Sequence, residues 1–172
     1  MTNINAHDNN GNTLLIITIS NDDPEAVQAL LEKGADPNAP DNNGNTPLML
    51  AIEGTLLRPL GNVVIVNALL AEGADPNAKD YKGYTALSRS SEKGDYNIVK
   101  ILLKEGAGEK INAKDNYGST ALMLASQYGE IDVVKALLCA GANKVATDNY
   151  GSTALMYASE YDQIEVMALL TT

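Results

Sequence analysis

The amino-acid sequence predicts an all-α repeat protein in which short helix pairs stack upon one another. Three observations lead to this class. First, the stretch "DNYGSTALM" occurs at Asp115–Met123 and again, unchanged, 33 residues later at Asp148–Met156. Second, two glycines recur at fixed offsets along the chain. Third, the segments between these glycines carry apolar residues at helical spacing. A repeated structural unit explains all three better than a duplicated active site does.

One of the two glycines belongs to a Gly-x-Thr element that marks five units. The steps between successive Gly-x-Thr glycines are 33, 39, 35 and 33 residues. The five units form one domain over residues 1–172, and they account for nearly every residue of the chain. Their approximate bounds are 3–37, 38–76, 77–111, 112–144 and 145–172.

The second unit is longer because it contains an inserted loop at residues 54–62. This loop carries Leu56, Leu57 and Leu60, which would be exposed unless they fold back onto the domain. The sequence leaves two interpretations of the loop open. It is either a local packing excursion or a loop that binds a partner.

The fourth unit illustrates why each repeat folds into two helices. Its "NAKDNYGS" segment has the Asn, Asp and Gly content of a turn, with Gly118 suited to positive φ. Thr120 is then placed to cap the short helix "ALMLASQY", which Gly129 ends. The second helix, "IDVVKALL", has one apolar stripe and stops before Gly141. Neither helix can bury its stripe alone, so stacking of successive units is required.

These residues resemble those of ankyrin repeats over nearly the whole chain. The segments "DNNGNTPLMLAI", "GADPNAKD" and "VVKALLCAGAN" carry the resemblance, and their elements agree in four or five copies. The resemblance implies antiparallel helix pairs stacked into a curved solenoid, with β-hairpin-like loops projecting at right angles. It also implies that the chain binds proteins through its hairpin tips and the exposed surface of its inner helices.

The third unit departs from its neighbours on the inner helix. Arg89 and Ser90 stand where the fourth unit has an apolar residue and an alanine. A buried arginine without a partner is very costly, so Arg89 must either reach solvent or pair with a carboxylate. Arg89 is therefore either a structural adjustment beside the inserted loop or part of a polar site on the concave face.

The positions that vary between repeats are the candidate partner-binding residues. Six of the eight tyrosines fall at tips or at the ends of inner helices, and tyrosine is favoured in protein interfaces. The alternative is that these rings merely stack between layers. The predicted binding residues are Tyr81, Lys82, Tyr84, Arg89, Glu92, Tyr117, Tyr128, Tyr150 and Tyr161.

Composition narrows the class of partner. The net charge is −10, which argues against nucleic acid or an anionic membrane surface and favours a basic or neutral protein, unless the charge serves only solubility. No apolar run is long enough to span a membrane. The single cysteine, Cys139, predicts a reducing compartment such as the cytoplasm. No signal peptide is recognisable, and the removal of a leader sequence stays an open alternative.

Residues for catalysis, metals or cofactors are not predicted. His7 is the only histidine, and Cys139 falls at a surface position of an outer helix. The Asp-Asn-x-Gly tips resemble the start of a calcium loop, but Asx-turn geometry explains them better. We therefore expect a non-enzymatic scaffold or adaptor. The alternative is an inhibitor or immunity-type protein that blocks one enzyme or effector through an acidic concave face.

The two ends of the array raise the question of assembly. The first helix, "TLLIITIS", is apolar on nearly every side, so the first unit is predicted to be covered by a partner chain, a second copy or residues outside this sequence. The last unit ends in "MALLTT" and is predicted to be better capped. A monomer is expected in preference to a homodimer.

Overall fold

The computed structural model describes residues 3–54 and 62–171. Within these ranges the chain forms ten α-helices and one 3₁₀ turn, and it forms no β-strand. Odd-numbered helices are the inner, first helices of the five repeats, and even-numbered helices are the outer ones. The helices are α1 (Leu14–Ser20), α2 (Pro24–Glu32), α3 (Pro47–Glu53), α4 (Val63–Ala71), α5 (Ala86–Glu92), α6 (Tyr96–Lys104), α7 (Ala121–Tyr128), α8 (Ile131–Cys139), α9 (Ala154–Glu160) and α10 (Ile164–Thr171).

The helix pairs stack in chain order. Each inner helix contacts the inner helix of the next repeat, from α1 on α3 to α7 on α9. Each outer helix likewise contacts the next outer helix, from α2 on α4 to α8 on α10. The predicted all-α solenoid is therefore confirmed.

A threonine begins every inner helix. The Thr120 hydroxyl accepts a hydrogen bond from the Met123 amide at 3.4 Å, which satisfies one of the amides that the first turn leaves without a helical partner. Pro47 occupies the first turn of α3, where its missing amide costs nothing. The equivalent caps in the other repeats are Thr13, Thr46, Thr85 and Thr153.

Small aliphatic side chains fill the space between the layers. Ile52, Val66, Leu102 and Leu137 are completely buried, and each belongs to one cluster that runs through all five repeats. The chain has no Phe or Trp, so these thin layers are packed by Leu, Ile, Val, Met and Ala. The core is therefore continuous along the array and has no single centre.

The helices on either side of the inserted loop are well defined. Gly54 ends α3 with φ 71°, and Asn62 begins α4 by accepting the Val64 amide at 3.0 Å. The Asn62 amide also donates to the Ala51 carbonyl at 3.1 Å. Residues 55–61, with Leu56, Leu57 and Leu60, lie outside the described residues, so both interpretations of the loop remain predictions.

The last repeat was expected to be better capped than the first, and this expectation was wrong. In α1, Leu15, Ile16 and Ile19 are buried, and only Leu14 is largely exposed, at 50%. In the last repeat, Met156 is 56% exposed and Ile164 is 72% exposed. Counting apolar residues in one helix overlooked that most of them face inward. The C-terminal repeat therefore exposes more apolar surface than the N-terminal one.

Candidate protein-binding surface

The tips of the repeats are tight turns held by an aspartate. In the third repeat, the Asp80 amide donates to the Tyr84 carbonyl at 3.0 Å, and the Gly83 amide donates to the Asp80 carbonyl at 2.9 Å. The Asp80 Oδ1 atom accepts the amides of Lys82 and Tyr84 at 2.8 and 2.9 Å. The predicted Asx turn is confirmed, since these carboxylate oxygens bind turn amides. Each tip side chain consequently projects from a fixed backbone.

Neighbouring tips are joined into one ridge by backbone hydrogen bonds. The Tyr81 amide donates to the Asn43 carbonyl at 3.1 Å, and the Asn116 amide donates to the Lys82 carbonyl at 2.9 Å. The Asn149 amide donates to the Tyr117 carbonyl at 3.0 Å. These bonds hold the tips of the second to fifth repeats in register.

Three tyrosines stand on consecutive tips of this ridge. Tyr81, Tyr117 and Tyr150 are 71%, 56% and 80% exposed. Tyr128 and Tyr161, at the ends of α7 and α9, are about half exposed. The Tyr81 ring also packs on the preceding tip at Gly44, so binding and stacking between layers both remain predictions. We call Tyr81, Tyr117 and Tyr150 the tyrosine ridge.

Arg89 is paired with acidic side chains, as predicted for an arginine on an inner helix. Its Nη1 atom forms an ion pair with Glu53, and its Nη2 atom forms one with Asp80. Nη2 also donates to Asn45 Oδ1 at 2.8 Å, and the guanidinium lies 5.5 Å from the ring centre of Tyr84. Arg89 thus connects the second repeat to the third across the concave face.

The partner of Arg89 reveals a spacing that the sequence analysis missed. Asp80 and Arg89 are nine residues apart, and so are Asp148 and Tyr157, whose hydroxyl donates to Asp148 Oδ2 at 2.7 Å. In both repeats a residue on the inner helix binds the second oxygen of the tip aspartate. In the fourth repeat this residue is Leu124, and Asp115 Oδ2 is buried without a hydrogen-bond partner among the described residues. A comparison of polar residues nine positions after each tip aspartate would have found the pairs.

Two adjoining cavities bring most of the predicted binding residues together. A cavity of about 440 Å³ lies beside Arg89, and a second of about 310 Å³ lies between Arg89 and Tyr117. Lys82 and Arg89 border both. The first is lined by Asn43, Asn45, Glu53, Asp80, Tyr81, Lys82 and Arg89, and the second by Lys82, Tyr84, Arg89, Glu92 and Tyr117.

The remaining predicted residues lie beside these cavities or beyond them. The Tyr128 hydroxyl lies 3.4 Å from Glu92 Oε1, which joins Tyr128 to the second cavity. Tyr150 and Tyr161 belong to the fifth repeat and line neither cavity. The predicted set is thus one group centred on the third and fourth repeats, with two tyrosines further along the array.

Comparison with known protein families agrees with this architecture. A family model described as ankyrin repeats matches three times, at residues 1–80, 57–148 and 108–172. The chain belongs to the ankyrin-repeat family. No curated protein matches the sequence. Ankyrin repeats are generally protein–protein interaction modules, and the tips and inner helices described above are the surfaces that such a module exposes.

Two tyrosines of the ankyrin concave face are held in their neutral form. Burial, together with the carboxylates of Glu92 and Asp115, raises the pKa of Tyr84 to about 12. Burial and the neighbouring Glu92 also raise the pKa of Tyr128. The raised pKa values extend the neutral form of both hydroxyls to higher pH, and the Tyr128 hydroxyl donates to Glu92.

Charged groups of both signs lie along the concave face. Hydrogen bonds from turn amides hold the tip aspartates without cancelling the charge of a carboxylate, and only Asp80 is also ion-paired, with Arg89. Further exposed carboxylates lie in the turns after the outer helices, as at Asp36, Glu72 and Asp75. The charged groups along the inner helices and tips also include Glu53, Glu92 and Glu160, and Lys82, Arg89 and Lys93. The acidic concave face therefore stays a prediction.

Residues 3–54 and 62–171 contain no cluster of side chains that could hold a metal ion, and none of their helices is long and apolar enough to cross a membrane. Cys139 is an exposed free thiol, as predicted for a surface position.

Proposed function

We propose that this ankyrin-repeat chain is a non-enzymatic scaffold or adaptor that holds another protein along the tyrosine ridge and the adjoining concave face. The observation that carries the proposal is the row of three exposed tyrosines on consecutive tips. Tyrosine offers a large amphipathic contact at a low cost in side-chain entropy. Because hydrogen bonds already fix the tips, little backbone entropy is lost on binding.

The cavities beside Arg89 supply polar contacts next to the ridge. Lys82 forms no ion pair within the described residues, so its ammonium group is available to a partner. The hydroxyl of Tyr84 adds a neutral donor. This mixture suits a partner segment with both apolar and polar side chains, and it does not require a basic partner.

The alternative, an inhibitor that imitates a polyanion, requires a concave face dominated by carboxylates. The three exposed tyrosines of the ridge favour contacts centred on tyrosine instead. The two functions differ in their response to salt, because polyanion mimicry weakens steeply with ionic strength. A reducing compartment such as the cytoplasm remains a prediction that rests on the single cysteine.

The experiment is affinity capture from a lysate of the source cell with three baits. The wild type is compared with the Tyr81→Ala, Tyr117→Ala, Tyr150→Ala triple variant and with Tyr96→Ala. Tyr96 is a matched control, since it is 40% exposed but lies on outer helix α6. We expect proteins that the wild type and the control capture and the triple variant loses. Each lost tyrosine should cost about 1–2 kcal/mol of binding free energy. An identical set of captured proteins with all three baits would refute the proposal.

A further inference from the structure

Among the five outer helices of the described residues, α4 alone has no charged side chain. Its sequence is VVIVNALLA, whereas α2 carries two glutamates, α6 two lysines, α8 one residue of each sign and α10 one glutamate. Val64, Asn67 and Ala71 are exposed on α4, and Val64 is 61% exposed. We call these three residues the α4 row.

The α4 row has the spacing of a helix that pairs with another helix. Its members stand three and four residues apart, which is the spacing of a seam between two parallel helices. In a parallel pair of identical helices each member of the row meets its own counterpart. A valine packs well in such a seam, an alanine lets the helices approach closely, and a single asparagine specifies their number and register.

Side chains of opposite charge border the α4 row on its two sides. On the side of α2, Glu25 and Glu32 line a cavity of about 410 Å³ that Val64 also lines. On the side of α6, Lys100 lines a cavity of about 330 Å³ that Val63 also lines. An uncharged strip therefore runs between an acidic flank and a basic flank.

The flanking charges also match in their position along the helices. Both α2 and α6 are nine residues long, and their last residues are Glu32 and Lys104. The next residues reverse the signs, since Lys33 follows α2 and Glu105 follows α6, and all four residues are exposed. Lys104 lies 3.2 Å from Glu105, but this pair is largely open to solvent. At two successive positions, therefore, α2 and α6 carry charges of opposite sign.

This pattern is complementary to itself under one two-fold rotation. Because the outer helices stack in chain order, α2 and α6 lie on opposite sides of α4. A two-fold axis parallel to α4 therefore places α2 of one copy against α6 of the other, with glutamates facing lysines at two equivalent places. Antiparallel α4 helices would instead bring glutamates against glutamates. A two-fold contact needs a self-complementary surface, and the parallel arrangement provides one.

We propose that two copies of the chain form a symmetric dimer in which their α4 helices pack in parallel. Val64 and Ala71 contact their counterparts, and the two Asn67 side-chain amides hydrogen-bond to each other. The glutamates of α2 in each copy face the lysines of α6 in the other. The monomer expected from the sequence is then the dilute form of the protein.

The contact between two such surfaces is small. Three helices of nine residues cover roughly 13 Å by 20 Å, which is at the low end for specific protein interfaces, so the dimer dissociates on dilution. α4 belongs to the outer layer and the tyrosine ridge lies on the tips, so each dimer presents two free ridges. The dimer does not depend on the function proposed for the ridge.

The test measures weight-average mass by sedimentation equilibrium from micromolar to millimolar protein. We expect the wild-type mass to rise from that of one chain towards that of two and no further, because a two-fold contact occupies the same surface of both copies. Val64→Lys should weaken dimerisation by at least about tenfold, since two like charges replace an apolar contact. Val145→Lys is the matched control, because Val145 is 72% exposed in the turn after α8, and it should dimerise as the wild type does.

Exchanging the charges of the flanks tests the arrangement of the two copies. Glu25→Lys with Glu32→Lys makes both flanks basic, and Lys100→Glu with Lys104→Glu makes both acidic. Each double variant should be monomeric at concentrations where the wild type dimerises. An equimolar mixture should restore the dimer, because every contact then joins a basic flank to an acidic one.

The outcomes separate this dimer from a folding defect and from the function of the ridge. Every substituted residue is exposed, so circular dichroism should show wild-type helix content for each variant. The triple tyrosine variant should dimerise as strongly as the wild type. A wild-type mass equal to one chain at every concentration would overturn the proposal. Dimerisation that Val64→Lys leaves unchanged, or a mixture of the two double variants that stays monomeric, would overturn it as well.

Discussion

Replacing Arg89 by leucine tests whether the ion-pair cluster on the concave face stabilises the fold. Leu50 and Leu124 occupy the same position in the second and fourth repeats, so a leucine fits the backbone there without strain. The substitution removes the ion pairs to Glu53 and Asp80 together with the hydrogen bond to Asn45. It therefore changes the polar contacts and leaves the shape of the helix surface largely as it is.

The expected cost comes mainly from Asp80. Its side chain is only 2% exposed, so without Arg89 its Oδ2 atom is a buried charged oxygen with no partner. Breaking a fully buried ion pair costs about 3–5 kcal/mol. Arg89 is 17% exposed and Glu53 is 38% exposed, so solvent screening lowers this figure. The new leucine also recovers some apolar burial. We expect the free energy of unfolding to fall by about 1–3 kcal/mol.

The assay is urea unfolding at neutral pH followed by far-ultraviolet circular dichroism. Lys93→Gln is the matched control, because Lys93 pairs with the same Glu53 at 3.7 Å near the surface and should change stability by less than about 0.5 kcal/mol. A double-mutant cycle with Glu53→Gln separates the Glu53 pair from the Asp80 pair. An Arg89→Leu variant as stable as the wild type would refute this reasoning.

Two further predictions concern single contacts in the last repeat. Tyr157→Phe removes a hydrogen bond to Asp148, whose pKa is lowered by the bonds from Tyr157 and the turn amides although burial alone would raise it. Because the pKa of Asp148 is lower in the folded state, its ionised carboxylate stabilises the fold at pH values above the unfolded pKa, and this stability is lost as the pH falls. The variant should therefore lose about 1–2 kcal/mol of unfolding free energy at pH 7 and less below about pH 4. Urea unfolding at several pH values measures this, and a loss that does not change with pH would contradict it. Asp162→Gly relieves a φ of 54° at the position that Gly129 fills in the fourth repeat, and thermal unfolding should show a gain of about 1 kcal/mol or less. A lower melting temperature would show that the aspartate side chain stabilises the turn.

The fold could be predicted from the sequence because each local signal is repeated. Thr120 caps its helix and Gly129 ends it; the threonine cap recurs in all five repeats and the glycine in three of them, and these signals agree on one unit. The exposure of the ends could not be predicted as well, since the pattern of one helix does not say which face the next layer covers. The contrast between buried Met123 and exposed Met156, within identical sequence, shows this directly.

The candidate site was only partly predictable, because its contacts cross between repeats. Tyr81, Tyr117 and Tyr150 could be placed on tips, since tip positions follow the period. The contact of Arg89 with Glu53 joins residues 36 positions apart and depends on side-chain direction. Periodicity finds equivalent positions, but it does not identify partners in neighbouring layers.

The ion-pair cluster of the concave face is complete in one layer and incomplete in the next. Position for position, Glu92 and Asp115 in the next layer correspond to Glu53 and Asp80, but Leu124 takes the place of Arg89. The layer between the third and fourth repeats therefore has the acidic residues of the cluster but not the arginine. Asp115 Oδ2 has no partner in the described residues, and Glu92 lies beside Tyr128. An arginine at position 124 could pair with Asp115 as Arg89 pairs with Asp80. With the leucine, the cations that line the cavity beside Tyr84 and Tyr117 are Lys82 and Arg89, so Glu92 shares this cavity with charges of the opposite sign.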